Sequence, residues 1–311
     1  MRHRMVGRSG LSVSRLALGT MTWGGTTTPE EARELLTAFT EAGGDLVDTA
    51  HGYGDGRAEE MLGSLIGDVV DRDDLALCTK AGISRESGQR VVNTSRRALA
   101  RQLDRSLARL GTDHVDLWLV HTWSDAVPLE ETLGTLEWAV QSGRARYVGV
   151  SNYGGWQTAR AATLMDARVP LVANESEYSL VNRVPEDELL PASRTLGVGL
   201  LPWSPLGRGV LTGKYRHGIP ADSRASSGEV GDFAARFLDE DTQQVVEALV
   251  TAARGLGVTA TEVALAWVRD RPGVVAPVVG TRTLAQLRTV LRAEDLVLPE
   301  EIVRALDDVS D

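Results

Sequence analysis

The sequence DTAHGYG at residues 48–54 is the first of four short stretches that decide the fold of this chain. The others are CTK at 78–80, VHT at 120–122 and GVSN at 149–152, and each stands at the carboxyl end of an apolar run. Together they carry Asp48, Tyr53, Lys80 and His121. An acid, a phenol, an amine and an imidazole at the ends of successive strands indicate proton chemistry at the mouth of a barrel.

Outward from these stretches, apolar runs alternate with helical patterns. The runs are mostly continuous, as parallel strands covered on both faces require. They predict eight strands, at 16–20, 45–50, 75–80, 115–122, 145–152, 171–179, 199–205 and 274–280. This pattern predicts an α/β fold, a (β/α)8 TIM barrel. A doubly wound open sheet is the alternative, but the turn GTMTWGGTT at 19–27 has the wrong glycine spacing for it.

The helices and the segments outside the barrel plan are also marked in the sequence. Thr28, Pro29 and Glu31 form a helix start signal. Further helices are predicted at 94–110, 129–140, 241–255, 259–271 and 299–309, the last two being extra carboxyl-terminal helices beside the last strand. We predict one domain over 1–311, with an amino-terminal β-hairpin at 1–14 and a long loop at 206–240.

The composition narrows the class of protein. The net charge is −10 and the pI about 5.1, so neither nucleic acid nor an anionic membrane surface is expected as the main partner. Cys78 is the single cysteine, which excludes an internal disulfide and predicts a buried packing residue. No secretory signal and no run of about 20 apolar residues is present, so we expect a cytoplasmic protein outside the membrane.

The four ionisable residues make chemical sense as one site. A lysine ammonium about 4 Å from a phenol lowers the phenol pKa by roughly three units, so we expect Lys80 to make Tyr53 more acidic. Asp48 is the expected counter-ion of Lys80, and His121 can donate a hydrogen bond to the same substrate oxygen. Met21, Trp23 and Trp123 are candidate walls of a substrate pocket, although the two tryptophans could equally pack the barrel rim.

Two other kinds of site are disfavoured. With five histidines, one cysteine and no HxH or HExxH spacing, no metal site is expected. A hydrolase triad of Ser151, His121 and an aspartate is unsupported, because no nucleophile-elbow glycine pattern surrounds Ser151.

With these motifs the sequence resembles the aldo-keto reductase family. The resemblance spans about residues 10–295, and its motifs are DTAHGYG, LALCTK, LWLVHTW, RYVGVSNY, NESEYSL, PWSPLGRGVLTGKY and PVVGTRTLAQL. It implies NADPH-dependent reduction of an aldehyde or ketone, with Tyr53 as general acid, Lys80 and Asp48 tuning it and His121 orienting the carbonyl. The partner would be a small-molecule carbonyl or alcohol. The oligomeric state is left open.

The resemblance also implies the contacts of NADPH/NADP+. Ser151 and Asn152 would hold the nicotinamide carboxamide, and Trp203 would stack on the ring. The phosphates would be met by two further groups, namely Ser204, Leu206, Gly207 and Gly209 along the pyrophosphate, and Gly280, Thr281, Arg282 and Gln286 around the 2′-phosphate. The loop at 206–240 would then lie on the cofactor side.

Two positions depart from the family pattern. Glu175 stands where the family usually has a glutamine that helps hold the carboxamide, and a carboxylate cannot donate a hydrogen bond unless it is protonated. Thr289 and Val290 stand where Glu-Asn often contacts adenine.

A cofactor-sensing regulatory subunit with the same fold and little turnover is the alternative function, and a barrel lyase or isomerase without nicotinamide is a third.

Overall fold

The computed structural model describes residues 1–85, 88–165, 169–216 and 239–311. Within them, eight parallel strands close into a barrel. Its strands are β3 (Ala17–Gly19), β4 (Leu46–Asp48), β5 (Ala76–Ala81), β8 (Val115–Val120), β9 (Ala145–Ser151), β10 (Leu171–Glu177), β11 (Gly199–Trp203) and β12 (Val278–Val279). They follow one another around the barrel in chain order, and β12 pairs with β3 to close it.

Two short antiparallel ladders lie outside the barrel. β1 (His3–Met5) pairs with β2 (Ser12–Ser14), and β6 (Ile83–Ser84) pairs with β7 (Val91–Val92). The β1–β2 hairpin is the predicted one. Val6 and Val13 are fully buried in one cluster with residues near the starts of barrel strands, such as Ala17 and Leu46, so the hairpin covers the amino-terminal end of the barrel.

Helices separate the barrel strands and form its outer layer. Those of the described residues are α1 (Pro29–Glu41), α2 (Arg57–Leu65), α3 (Arg96–Leu110), α4 (Leu129–Gln141), α5 (Gly155–Leu164), α6 (Leu189–Leu196), α7 (Glu240–Leu256), α8 (Ala260–Arg269), α9 (Leu284–Arg292) and α10 (Glu300–Val309). The predicted start of α1 is confirmed as a capping box, in which Thr28 and Glu31 bond to each other's backbone amides.

All eight predicted strands are confirmed, and the (β/α)8 fold with them. Seven of the strands end one or two residues before the predicted carboxyl end, whereas β5 runs one residue further, to Ala81. The eighth run contributes only Val278 and Val279 to the barrel ladder, while Val274 forms an isolated bridge to Leu200. Most of the predicted loop at 206–240 lies outside the described residues.

The apolar core fills the barrel and the space beneath its helices. Its largest cluster joins Leu18, Trp23 and Trp118 to the inward faces of α1, α3 and α4. Cys78 is a fully buried packing residue, as predicted. In the part of the chain that the structure describes, no single helix has the length and apolar character to cross a membrane; α7 and α8, bent by 101° at their junction, meet that test only as a pair.

Candidate active site

The carboxyl ends of β4 and β5 bring Asp48 and Lys80 together. The two strands pair in parallel register, so both side chains emerge near the same end of the barrel. Lys80 Nζ donates to Asp48 Oδ1 at 2.5 Å and to the carbonyl oxygen of Thr49 at 3.1 Å. Lys80 is 1% exposed and Asp48 3%. The predicted ion pair is therefore a buried, directly hydrogen-bonded one.

Tyr53 and His121 lie against this pair. The segment after β4 turns through a short 3₁₀ helix, Tyr53–Gly56, which starts with the bond from Tyr53 N to Ala50 O. Lys80 Nζ is 5.3 Å from the centroid of the Tyr53 ring. The rings of Tyr53 and His121 meet edge to face, with centroids 5.8 Å apart. The four side chains that sequence reasoning singled out thus form one cluster, the tetrad of Asp48, Tyr53, Lys80 and His121.

Arg109 supports the turn that carries Tyr53. This α3 residue donates to His51 O, to Asp55 O and to the buried carboxylate of Glu59. A Cβ added at Gly56, whose φ is +97°, would lie 2.1 Å from Arg109 Cζ, so the glycine leaves the room that the guanidinium fills. Sequence reasoning missed Arg109, because it took the α3 pattern only as a packing stripe.

Burial outweighs the predicted effect of Lys80 on the pKa of Tyr53. Desolvation by burial raises the pKa of Tyr53 well above its ordinary value, and the Asp48 and Glu175 carboxylates raise it further. The Lys80 ammonium lowers that pKa, as expected, but does not outweigh burial. The phenol consequently keeps its proton throughout the neutral range, which is the form a proton donor needs.

His121 is held neutral. Desolvation, followed by the charges of Lys80 and Arg90, lowers the pKa of its imidazole well below the ordinary value. Its Nδ1 atom is buried and has no hydrogen-bond partner among the described residues. A neutral imidazole carries one N–H donor and one acceptor, so His121 can donate to a neighbouring oxygen without contributing charge.

Glu175 completes the buried charge cluster. The end of β10 places its Oε2 atom 3.0 Å from Lys80 Nζ, and Glu175 is 2% exposed. The contact is an ion pair without hydrogen-bond geometry, since Oε2 has no hydrogen-bond partner. Burial, followed by the charge of Asp48, raises the pKa of Glu175 to about 8 against the opposing pull of Lys80.

A second polar group continues around the rim from β9 to β11. Asn152 donates to His121 O and to Ser151 Oγ, each at 3.0 Å, and accepts a hydrogen bond of 3.0 Å from Trp203 Nε1. Asn152 N also donates to Glu175 O. The chain of contacts links the tetrad directly to Trp203. The structure thus brings together Ser151, Asn152, Glu175 and Trp203, as the resemblance implied.

The segment after β11 is a tight loop over the same end. Ser204 and Arg208 have φ of +52° and +58°, and Gly207 and Gly209 have φ of +53° and +98°. Leu206 precedes the 3₁₀ helix Gly207–Thr212. The amides of Gly207 and Gly209 donate within the loop, to Ser204 O and Leu206 O at 2.9 Å each, so the left-handed residues close the turn. The contact of this segment with a pyrophosphate stays a prediction.

Arg208 is the second residue that sequence reasoning missed. Its guanidinium is buried, pairs with Glu177 at 2.8 Å and lies 5.7 Å from the centre of the Trp203 ring. Arg208 therefore ties the loop to the ends of β10 and β11. Its position between two glycines was the available signal.

The end of β12 leads into the amino terminus of α9. Thr281 is buried and its Oγ1 atom has no hydrogen-bond partner among the described residues, while Gly280 beside it is exposed. Gln286 Oε1 accepts from Arg282 N at 2.9 Å, which orders the turn. Backbone amides at a helix start together with a guanidinium suit an anion.

The two positions that depart from the family pattern in α9 face different ways. Val290 is buried in a small cluster with Leu16, and Thr289 bonds back to Ala285 O within the helix. Val290 therefore presents no polar group to a ligand. The expectation of a changed adenine contact stays a prediction.

The three candidate pocket walls differ in exposure. Trp23 has no exposed surface and packs in the core, so it offers no face to a ligand here. Met21 is 55% exposed. Trp123 contacts Tyr153 and Trp156 edge to face at 5.1 and 5.3 Å, and Trp156 is 57% exposed. Trp123, two residues after His121 in the chain, thus forms an aromatic group with Tyr153 and Trp156, and the sequence did not reveal Trp156 as a member.

Asp48, Cys78 and Glu175 are spaced as metal ligands could be, with ligand atoms within 4.8 Å of one another. Two of these three already contact the Lys80 ammonium. Burial raises the pKa of the Cys78 thiol well above its ordinary value, so it stays protonated. The Lys80 ammonium is therefore already the cation of this cluster, and Cys78 offers no thiolate to bind a metal ion.

Strained backbone is concentrated at this end of the barrel. Among the described residues, the non-glycine residues with left-handed φ are Asp55, Asn152, Ser204 and Arg208. Each such residue costs of order 1–3 kcal/mol, and such strain clusters at functional sites. All of them lie on the turns that carry the tetrad, the rim group and the tight loop.

The barrel carries a buried acid, amine, phenol and imidazole at the carboxyl ends of its strands, an arrangement suited to an enzyme that transfers protons. Sequence comparison gives the family. The model of the aldo/keto reductase family matches residues 15–311. The chain belongs to the aldo/keto reductase family.

Curated relatives cover nearly the whole chain. A probable voltage-gated potassium channel subunit beta of Oryza sativa subsp. japonica is 36% identical over 99% of this chain and 96% of its own length. The uncharacterized oxidoreductase YrpG of Bacillus subtilis is 34% identical over the same shares. The L-glyceraldehyde 3-phosphate reductase of Escherichia coli K12 is 34% identical over 94% of this chain and 87% of its own length. Family and relatives support an oxidoreductase that reduces carbonyl groups.

Proposed function

We propose that this protein reduces an aldehyde or ketone to an alcohol with NADPH as the hydride donor, and that Tyr53 is the general acid. The observation that carries the proposal is the cluster in which Lys80, buried against Asp48, lies 5.3 Å from the Tyr53 ring while His121 meets the same ring edge to face. A proton donor, a cation that stabilises the anion left behind and a hydrogen-bond donor would all act on the same carbonyl oxygen.

The residues around the cluster fit a dinucleotide. The buried atom Thr281 Oγ1 has no hydrogen-bond partner among the described residues, and a ligand at the rim would supply one. The tight loop at 204–209, which Gly207 and Gly209 close through their own backbone bonds, would lie along the pyrophosphate. Arg282 at the start of α9 would meet a 2′-phosphate, with Gln286 holding its backbone.

Each residue of the proposed site has one task. The cofactor would supply a hydride to the carbonyl carbon. Tyr53 donates its proton to the carbonyl oxygen as negative charge develops there, and Lys80 stabilises the phenolate that remains. Burial lowers the pKa of Lys80, but the neighbouring negative charge, that of Asp48 foremost, outweighs burial and raises this pKa well above its ordinary value, so Lys80 stays charged. Neutral His121 donates a hydrogen bond to the same oxygen.

The substrate is proposed to be a small carbonyl compound that tolerates an aromatic group. The exposed face of Trp156 and the adjoining ring of Trp123 support this, because flat apolar surfaces favour flat apolar ligands.

The test is loss of NADPH absorbance with a panel of aliphatic and aromatic aldehydes and ketones, run beside NADH. We expect turnover with NADPH, and higher kcat/KM for aromatic members. A cofactor-sensing regulatory subunit is the second candidate, favoured by the identity to the rice channel subunit. That candidate predicts tight NADPH binding without turnover of any panel member. Failure to bind either dinucleotide would contradict both.

A further inference from the structure

The buried cluster at the barrel mouth contains one more carboxylate than it has cations. Asp48 and Glu175 both contact Lys80, at 2.5 and 3.0 Å, and all three side chains are at most 4% exposed. With every group ionised, the cluster would bury a net charge of −1. Burying an unpaired charge costs several kcal/mol, so one carboxylate is expected to hold a proton.

Glu175 is the carboxylate that holds it. Asp48 is nearer to Lys80 and accepts a true hydrogen bond from Nζ, whereas Glu175 Oε2 does not. The raised pKa of Glu175, about 8, agrees with this choice. A protonated carboxyl group has one O–H donor and one carbonyl acceptor, so it offers the same pair of hydrogen-bonding functions as an amide.

Among the described residues, no other group known to face Glu175 has a shifted pKa in the same range. On the paired strands its register partners, Ser151 and Leu201, carry no charge. The pKa values of Lys80, Tyr53 and Cys78 lie above the neutral range, and that of His121 lies below it. Asp48 is the remaining charged neighbour, and Lys80 neutralises it.

We propose that the protonation state of Glu175 distinguishes the two oxidation states of the nicotinamide. Protonated Glu175 binds the reduced cofactor through the hydrogen bonds that an amide would make. Ionised Glu175 favours the cationic ring of the oxidised cofactor. The inference rests on the proposed function, because it needs a nicotinamide beside Glu175. When the oxidised ring binds, the Glu175 O–H bond breaks and the proton passes to solvent. No electron is transferred in this step.

The positive charge of the oxidised ring fixes the direction in which the pKa of Glu175 changes. A nearby positive charge favours the carboxylate, so the pKa of Glu175 is lower in the NADP+ complex than in the NADPH complex. The ratio Kd(NADP+)/Kd(NADPH) therefore falls as the pH rises toward about 8 and is constant above it. The 2′-phosphate, which also titrates near pH 6, is common to both ligands and cancels in the ratio.

The experiment measures Kd for both nucleotides by fluorescence quenching between pH 6 and 9.5. In the unaltered protein we expect the ratio to fall on the order of tenfold, which corresponds to one pKa unit between the complexes. In Glu175→Gln we expect a ratio that does not change with pH. Glu34→Gln, an exposed substitution on α1, is the matched control and should behave as the unaltered protein.

A second measurement needs no variant. Calorimetric titration near pH 7.5 in buffers of different ionisation enthalpy counts the protons released, and we expect more release with NADP+ than with NADPH. A flat ratio and equal proton release would overturn the role of Glu175 while leaving the proposed function intact. A Glu175→Gln ratio that still falls with pH would also overturn it. Absence of binding by either nucleotide would reject the proposed function itself.

Discussion

Lys80 and Asp48 form a buried ion pair, with 2.5 Å between Nζ and Oδ1, directly behind the Tyr53 ring. A buried pair of this kind contributes little net stability compared with an apolar pair, but losing one partner is costly. The pair at the mouth of the barrel therefore suits the proposed role in the chemistry of the site better than a role in stabilising the fold.

The first prediction concerns this pair. Lys80→Met leaves Asp48 buried without its cation, and we expect it to lower the free energy of unfolding by about 3–5 kcal/mol. The double variant Lys80→Met with Asp48→Asn removes both charges and should recover most of that loss. Urea denaturation measures both. Neither variant should reduce carbonyls. A double variant as unstable as the single one would show that the pairing is not the cause.

The second prediction concerns the choice of dinucleotide. Arg282→Ala should weaken NADPH binding by about ten- to a hundredfold, because a charge-assisted hydrogen bond to a phosphate contributes roughly 1.5–3 kcal/mol, and should leave NADH binding nearly unchanged. Arg288→Ala removes the same charge from an exposed position of α9 and serves as the control. Equal losses for both nucleotides would remove Arg282 from the 2′-phosphate.

The third prediction concerns stability against pH. The pKa of Glu175 is raised in the folded state, so the folded protein holds a proton that the unfolded chain loses above pH about 4.5. Stability is therefore lost as the pH rises from about 4.5 to about 8. Glu175→Gln should gain stability over the unaltered protein across this window, by an amount on the order of a few kcal/mol at pH 8. Chemical denaturation at several pH values measures it, and a constant difference between the two proteins would contradict the buried proton.

The sequence predicted the strands and the tetrad because both leave local signals. Continuous apolar runs mark buried parallel strands, and each reactive side chain follows such a run at the end where barrel sites form. Arg109 and Arg208 follow no apolar run, and the only local mark of Arg208 is its place between two glycines. Their importance comes from partners such as Glu59 and Glu177, which lie 50 and 31 residues away in the chain and meet them only after folding.

The electrostatics were harder to predict than the geometry. Sequence reasoning gave the sign of the Lys80 effect on Tyr53 correctly, but the net pKa depends on how much water the fold removes from the phenol. The burial of Trp23 is a similar case. A tryptophan shortly after a strand end can face the pocket or the core, and only the packing of α1 and α2 against it decides.

The most direct test of the account is Tyr53→Phe, assayed for carbonyl reduction and for NADPH binding on the same preparation. Because the phenol is the proposed proton donor and does not hold the cofactor, kcat should fall by a factor on the order of 10² to 10⁴ while Kd for NADPH stays within about twofold. A variant that kept most of its turnover would contradict the account.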